Sequence, residues 1–580
     1  MEEKTQQEKD GPFNNKRLAH GAAFLLIIAH LALLATSAAR KSHTSDEPFH
    51  LARGMAALLT GDFRTSVAHP PLINMISALP VVMAYDFRIP TEHPVWTNSQ
   101  EYKAPVRKIA LAEHFLRGNP HYRSIVFMGR VPVMILSAVL AFVLYIFAAR
   151  LFGPASGIMA MSLYVFSPTM LAHARLTTTD TGAALFTFVF AMFFCRYLRR
   201  PKYHNLALVA AAFGLAQLSK YTSVLLIPVV PLVLIIERER LREKMEELKE
   251  SGKKTAYTGW ILTSLMVYIG GGLVLWAGYG FEVRGFHEFA VPEHIASLGT
   301  PGLFVKQTIV KALAFLNPPP PTYFFGLSET LLDTAAHPKT LFFLGNISKD
   351  GWWYYYPLLF LIKEPLALLA LIGVGAATFR KAPSFSRPEK TVALTVTLIF
   401  LFTFMFLNQK NIGIRHLVPL YPFLFLWLSR LAAVRARRHS LPWGAWVLVA
   451  ALAVRALIIH PDYLVHFNCL AGGPEGGLRL SVVGEDWGQD VYSLGKFCES
   501  KGIERIYYEH YGTADPEAYG VPWVKYECGM EAPGWYAIHV VHLRRPPEDR
   551  PPGCYDRFRE KEPEARLHHT IFAYHLEKKN

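Results

Sequence analysis

Long apolar runs, each closed by a short polar cluster, recur along most of the chain. With about 20 apolar residues needed per bilayer-spanning helix, they predict about 11 spans, near 18–39, 125–149, 154–173, 181–198, 204–219, 221–236, 257–280, 354–378, 391–408, 417–434 and 443–460. The first run is too long for a signal-peptide core and reads as a retained helix. Leu72 to Tyr85 is apolar but short, which suits a helix lying in the interface. From Pro461 the pattern changes. IERIYYEHYG alternates like a strand, VYSLGKFCESKG has helical spacing that ends at Gly502, and WYAIHVVHL is strand-like again. The expected organisation is a polar N-terminus (1–17), a polytopic α-helical membrane domain (18–460) with long outer loops at 40–124 and 281–353, and a small C-terminal α/β domain (461–580).

Charge supplies sidedness. The 580 residues are 52% hydrophobic and 18% charged, with a formal net charge of +15. The basic residues cluster at alternate connections: the N-terminus, Arg150, Arg196 to Lys202, Glu237 to Lys254, Arg380 to Lys390, and Arg435 to Arg438. By the positive-inside rule these connections face the cytoplasm, so an odd span count puts the C-terminus outside. Such clusters orient a membrane protein and argue against a nucleic-acid partner. The run ERERLREKMEELKESGKK reads as a solvated charged helix. Cys195, Cys469, Cys498, Cys528 and Cys554 form no CxxC pair, and the last four could form one or two disulfides in an oxidising compartment.

The candidate chemistry gathers on the outer connections. Asp46 and Glu47 are adjacent carboxylates just past the first span, followed by His50 and by His69-Pro70-Pro71-Leu72. Arg175-Leu-Thr-Thr-Thr-Asp180 is a short outer turn with Asp180 at the start of the next helix. Either acid could serve catalysis, and either could cap a helix. Lys220, Lys363-Glu364 and Arg415-His416 are charges at or inside apolar segments, where charge is costly and marks function. Snorkelling of Lys220, or a mutual Lys363-Glu364 ion pair, would explain them without function. Cations at this depth suit an anionic lipid phosphate. The aromatic run at 352–356 reads as an interfacial belt, and Asn346-Ile347-Ser348 is assigned no role.

Taken in order, DEPFHLARGMAALLTGDF with HPPL, HARLTTTDT, GLAQLSKYTSVLLIP, GNISKDGWWYYYPLLFLIKEPL, NIGIRHLVPLYPF and GEDWGQDVYSLGKF resemble the membrane glycosyltransferases of the GT-C class. They are most similar to the family-39-like group of protein O-mannosyltransferases, aminoarabinose transferases and RgtA/B/C/D-like enzymes. The resemblance covers nearly the whole chain. It implies transfer of a sugar from a polyprenyl-phosphate donor to a glycan, lipid or protein acceptor at the outer face of a bacterial cytoplasmic membrane, usually with inversion. It implies Asp46 as catalytic base with Glu47 as neighbour or substitute. Arg175, Lys220, Arg415 and His416 are implied at the donor phosphate, with Asp180 organising substrate. A divalent metal, held by Glu47 and Asp180, stays open.

The tail departs from the protein mannosyltransferases in its DWGQD segment. His69, Asp486, Trp487 and Asp490 are therefore acceptor-side candidates, with a loop that merely holds the domain against the membrane core as the alternative. The competing functional reading is a transporter or flippase for a lipid-linked or anionic solute, in which Lys363-Glu364 would lie on the path.

Overall fold

The computed structural model describes residues 16–64, 67–88, 114–251, 256–283, 315–336, 341–407, 411–434 and 440–577, together with 112, 308 and 311–313. Each of the eleven apolar runs is helical. Among the described residues, six helices are long and apolar enough to cross a membrane, or nine if each of three bent pairs is one span. The bends have local causes. Ser167-Pro168 interrupts 154–174, where the Ser167 hydroxyl caps the new helix through the Met170 N–H. Glu364-Pro365 turns the Tyr355–Lys363 and Leu366–Ala377 helices through 113°, since the residue before a proline is steered out of helical geometry. The third bend, 65°, swings the charged Arg238–Glu250 helix away from the apolar helix before it. Only Leu241 on that charged helix is buried, as expected of a solvated face. Much of the outer loops expected at 40–124 and 281–353 lies outside the described residues.

Helices in an apolar medium gain little from hydrophobic burial against one another and depend on close packing. The Glu47–Thr60 and Pro71–Ala84 helices show how close. A Cβ on Gly54 would lie 2.0 Å from the Asn74 carbonyl oxygen, so only glycine lets the backbones meet there. That approach brings His50 Nδ1 within 2.9 Å of Asn74 Oδ1.

The two ends of the bundle differ in charge. At one end, Arg387 and Thr391 reach the buried Glu237 carboxylate at 3.2 and 2.7 Å, Arg199 pairs with Glu389, Lys244 donates to the Arg199 carbonyl at 3.0 Å, and Arg430 sits 5.2 Å over the Phe385 ring. Three of the basic clusters thus converge, with Arg430 beside them. The opposite end gathers Lys41, Ser45, His173, Gly413 and Arg415 against the C-terminal domain, with Lys220 nearby on Asp180.

That domain is a five-stranded mixed sheet in the order Trp523–Lys525, Ile506–Glu509, Gly534–His539, Ile571–Leu576, Ala565–Leu567. The first three strands run parallel and the last two pair antiparallel. The Val491–Lys501 helix ends at Gly502, whose φ is +60°. WYAIHVVHL divides, with a strand to His539 and a short helix over Val540–Arg544. Cys528 and Cys554 form a disulfide, while Cys195, Cys469 and Cys498 are free.

Candidate active site

Asp46 and Glu47 are neighbours in sequence and strangers in environment. Asp46 stands before the first turn of the Glu47–Thr60 helix and makes no side-chain cap bond. Its carboxylate remains 41% exposed and accepts from Arg415 Nη1 at 2.9 Å. Glu47 is 3% exposed and receives Arg130 Nε and Nη2, each at 2.8 Å, the Thr177 N–H at 2.9 Å, and the Thr44 N–H and hydroxyl at 2.7 and 3.1 Å. Five donors saturate a carboxylate. Burial opposes its charge, but Arg130 and the two backbone N–H groups hold its pKa well below the usual carboxylate range. Arg130 also donates to the carbonyls of Ala38, Lys41 and Ser42 at 2.8, 3.1 and 2.8 Å. The pair therefore knots the loop that presents Asp46.

Around Asp46 lies a cationic bowl. Arg53, one turn past His50, is buried in the field of Asp46 and Tyr221; burial lowers its pKa to about 10. His50 and His69 face each other with ring centroids 4.7 Å apart. Burial first, then Arg53, lowers the pKa of His50 to about 4. His69 is held well below its ordinary value by burial and by the fields of His50, Arg53, Lys220 and Arg415. Asp180 is buried and ion-paired with Lys220, and it shares the field of Arg415. Asp46, His69, Asp180, Lys220 and Arg415 are thus brought together from five separate segments.

Two residues past Arg415, at Leu417, an apolar groove begins. His416 packs against Tyr356 and Phe404, with centroids 6.2 and 5.0 Å apart. From Tyr356 and Leu417 a cavity of about 760 Å³ follows one side of the 414–430 segment past Leu401, Leu424 and Trp427 to Arg430 and Lys390 at the basic end. At 1.5 Å per helical residue that run is roughly 20 Å.

The remaining candidates lie elsewhere. Arg175 is fully buried behind the first loop, with Nη1 3.5 Å from the Ser37 carbonyl and Nε and Nη2 without partners among the described residues. Asp486 is buried against His539 at 3.2 Å and accepts from the Gly488 N–H. Asp490 is buried between Lys41 and the Thr570 hydroxyl, the latter at 2.6 Å. Trp487, 7% exposed, packs its ring 4.7 Å beneath the Arg415 guanidinium. Lys363 and Glu364 do not pair with each other as sequence adjacency allowed. Lys363 binds Glu485 and the Leu464 carbonyl, and Glu364 accepts from Thr169 and Tyr421, because the Glu364-Pro365 bend points them apart.

Among the described residues the donor sets do not fit a metal. Glu47 is saturated by Arg130 and Asp180 carries Lys220. The ligand atoms of Asp462, Asp490 and His568 lie within 4.8 Å of one another, but the Lys41 ammonium binds both carboxylates and stands where a cation would. Arg130, Arg53 and Lys41 escaped the sequence reading. Arg130 had a usable signal as a charge inside the second apolar run. Lys41 lies in a loop and Arg53 inside the Glu47–Thr60 helix, and neither stands in a long apolar run.

A search of curated proteins finds no match. Among solved structures, the chain is similar over 95% of its length to 97% of ArnT from Cupriavidus metallidurans bound to undecaprenyl phosphate, at 12% identity and TM-score 0.44. It is similar over 78% of its length to 56% of the oligosaccharyltransferase of Archaeoglobus fulgidus in the apo form, at 15% identity and TM-score 0.39. Residues 124–251 match the family model described as dolichyl-phosphate-mannose-protein mannosyltransferase, so the family signature falls on the segment that carries Arg130, Arg175, Asp180 and Lys220.

Proposed function

We propose that the protein is an integral-membrane glycosyltransferase of the GT-C class, which moves a sugar from a polyprenyl-phosphate donor to the hydroxyl of a glycan, lipid or protein acceptor at the outer face of the membrane. One observation carries the reading. A half-exposed carboxylate, Asp46, is set among cations, and the segment that carries its partner Arg415 continues along an apolar groove that begins at Tyr356 and Leu417. The groove suits a polyprenyl tail, and Arg415, Lys220 and Arg53 suit the phosphate at its head. The family match supports a glycosyl donor of this kind.

The acceptor oxygen attacks the anomeric carbon, its proton passes to Asp46, and the bond from that carbon to the phosphate oxygen breaks. Polyprenyl phosphate departs as an anion. A positioned base contributes about 10²- to 10⁴-fold, and fixed cations offset the charge that develops on the leaving group. Attack opposite the phosphate gives inversion. His416 closes the upper end of the groove. Glu47, Arg175, Asp486 and Asp490 act by holding loops, and no step needs a metal. The test is incubation of purified protein with a panel of polyprenyl-phosphate sugars. Release of polyprenyl phosphate from at least one donor, lost in Asp46→Asn, is expected. Solute flux across vesicles without glycosyl transfer would contradict the reading and favour a transporter.

A further inference from the structure

Trp487 belongs to the C-terminal domain, yet it touches Arg415 and the residue that precedes Asp46. Its backbone carbonyl accepts from the N–H and hydroxyl of Ser45, the residue before Asp46, at 2.9 and 3.0 Å. Its indole ring lies 4.7 Å from Arg415 Cζ, within cation–π range, on the same guanidinium that donates to Asp46. The loop that carries it is pinned on all sides. The Trp487 N–H donates to Gln489 Oε1 at 2.7 Å, and Gln489 Nε2 donates to the Glu485 carbonyl at 3.0 Å. Lys363 holds Glu485 from the membrane side. A Cβ on Gly488 would fall 2.4 Å from the Tyr511 carbonyl oxygen, so the loop is wedged against the domain behind it.

From these contacts we infer that Trp487 is a positioning residue that sets the Asp46–Arg415 geometry, which makes the C-terminal domain a working wall of the catalytic site rather than an appendage. Arg415 is held against the indole face, and Ser45, which precedes Asp46 in the chain, is bonded to the backbone carbonyl of the same residue. A single rigid residue thus fixes the spacing between the group that takes the acceptor proton and the cation beside the leaving phosphate. The catalytic consequence rests on the proposed glycosyl transfer; the contact itself does not.

The experiment has two arms. In the first, Trp487→Leu and Trp487→Phe are compared in donor consumption. Loss of the aromatic face with the Arg415 charge retained should lower kcat about tenfold and move KM for the donor less than about twofold, and Trp487→Phe should recover most of the loss. Equal losses in the two variants, or wild-type kcat in Trp487→Leu, would overturn the inference. In the second arm, the protein is labelled with 5-fluorotryptophan, and the fluorine line that Trp487→Phe removes is followed in Arg415→Gln. A shift of that line is expected, and an unmoved line would overturn the contact. Should Trp487→Leu fail to fold, Trp487→Phe and the fluorine line decide. If wild-type protein consumes no donor while the line still shifts, the functional reading fails and the positioning contact stands.

Discussion

Two carboxylate–guanidinium pairs, one peptide bond apart, have opposite designs. Glu47–Arg130 is sealed, bidentate and saturated. Asp46–Arg415 meets through Nη1 at 2.9 Å, with the carboxylate 41% exposed. The sealed pair cannot exchange partners without exposing a buried charge, which makes it a structural clamp. The open pair can admit an acceptor hydroxyl. Adjacent acids in a sequence motif therefore need not share a role, and the partner that reaches each one decides between them.

The sharpest way to break this comparison is through stability. Removing one member of a buried pair strands the other, so Arg130→Ala and Glu47→Ala should each lose about 3–5 kcal/mol. Asp46→Ala should lose less, about 1 kcal/mol, because its carboxylate is 41% exposed to solvent. Thermal unfolding in detergent followed by intrinsic fluorescence checks both, and equal losses at the two positions would abolish the distinction.

A second test concerns the bowl. Lys220→Met leaves Asp180 buried without its cation and strips a charge from the phosphate site. Donor kcat/KM should fall about 100-fold, in line with the 2–5 kcal/mol cost of truncating a buried charge pair. Arg415→Lys keeps the charge but loses the planar fork and its stacking on Trp487, and roughly tenfold lower kcat/KM is expected from the lost cation–π contact. A smaller loss for Lys220→Met than for Arg415→Lys would reverse the assigned order.

The smallest effect is in pH. His50 lies outside the spanning helices and burial lowers its pKa from 6.5 to about 4, so the unfolded chain takes up a proton first. Stability should decline as pH falls through that window. Glu47 is displaced in the same direction, from 4.5 to about 2, because Arg130 and its backbone donors favour the charged form. Its contribution is present above pH 4.5 and is lost as pH falls towards the folded value. Unfolding temperatures from pH 7 to 4 should therefore drop, and Asn at position 50 should flatten the upper part of the decline.

The hydrophobic pattern made the bundle legible because a spanning helix must satisfy its own backbone and therefore needs a long apolar run. Even the short apolar 71–84 helix and the charged 238–250 helix were readable. The tail strands Trp523–Lys525, Ala565–Leu567 and Ile571–Leu576 were not, since short strands in a mixed sheet carry little local periodicity. At the site, Asp46, Asp180, Lys220 and Arg415 stood out as charges at the ends of apolar runs. What the chain could not disclose was pairing. Glu47 meets Arg130 across 83 positions, Lys41 meets Asp490 across 449, and Lys363 passes over its neighbour Glu364 to reach Glu485. Such partnerships follow from tertiary packing and leave no trace in local spacing.

The most direct test of the central claim is the transfer rate of Asp46→Asn beside Glu47→Gln, measured on protein shown to be folded by its unfolding temperature and with a donor that wild type consumes. The account predicts that Asp46→Asn unfolds near the wild-type temperature and loses about 10²- to 10⁴-fold in kcat, whereas Glu47→Gln unfolds earlier and retains more activity per folded molecule. A folded Asp46→Asn protein that transfers sugar at the wild-type rate would contradict it.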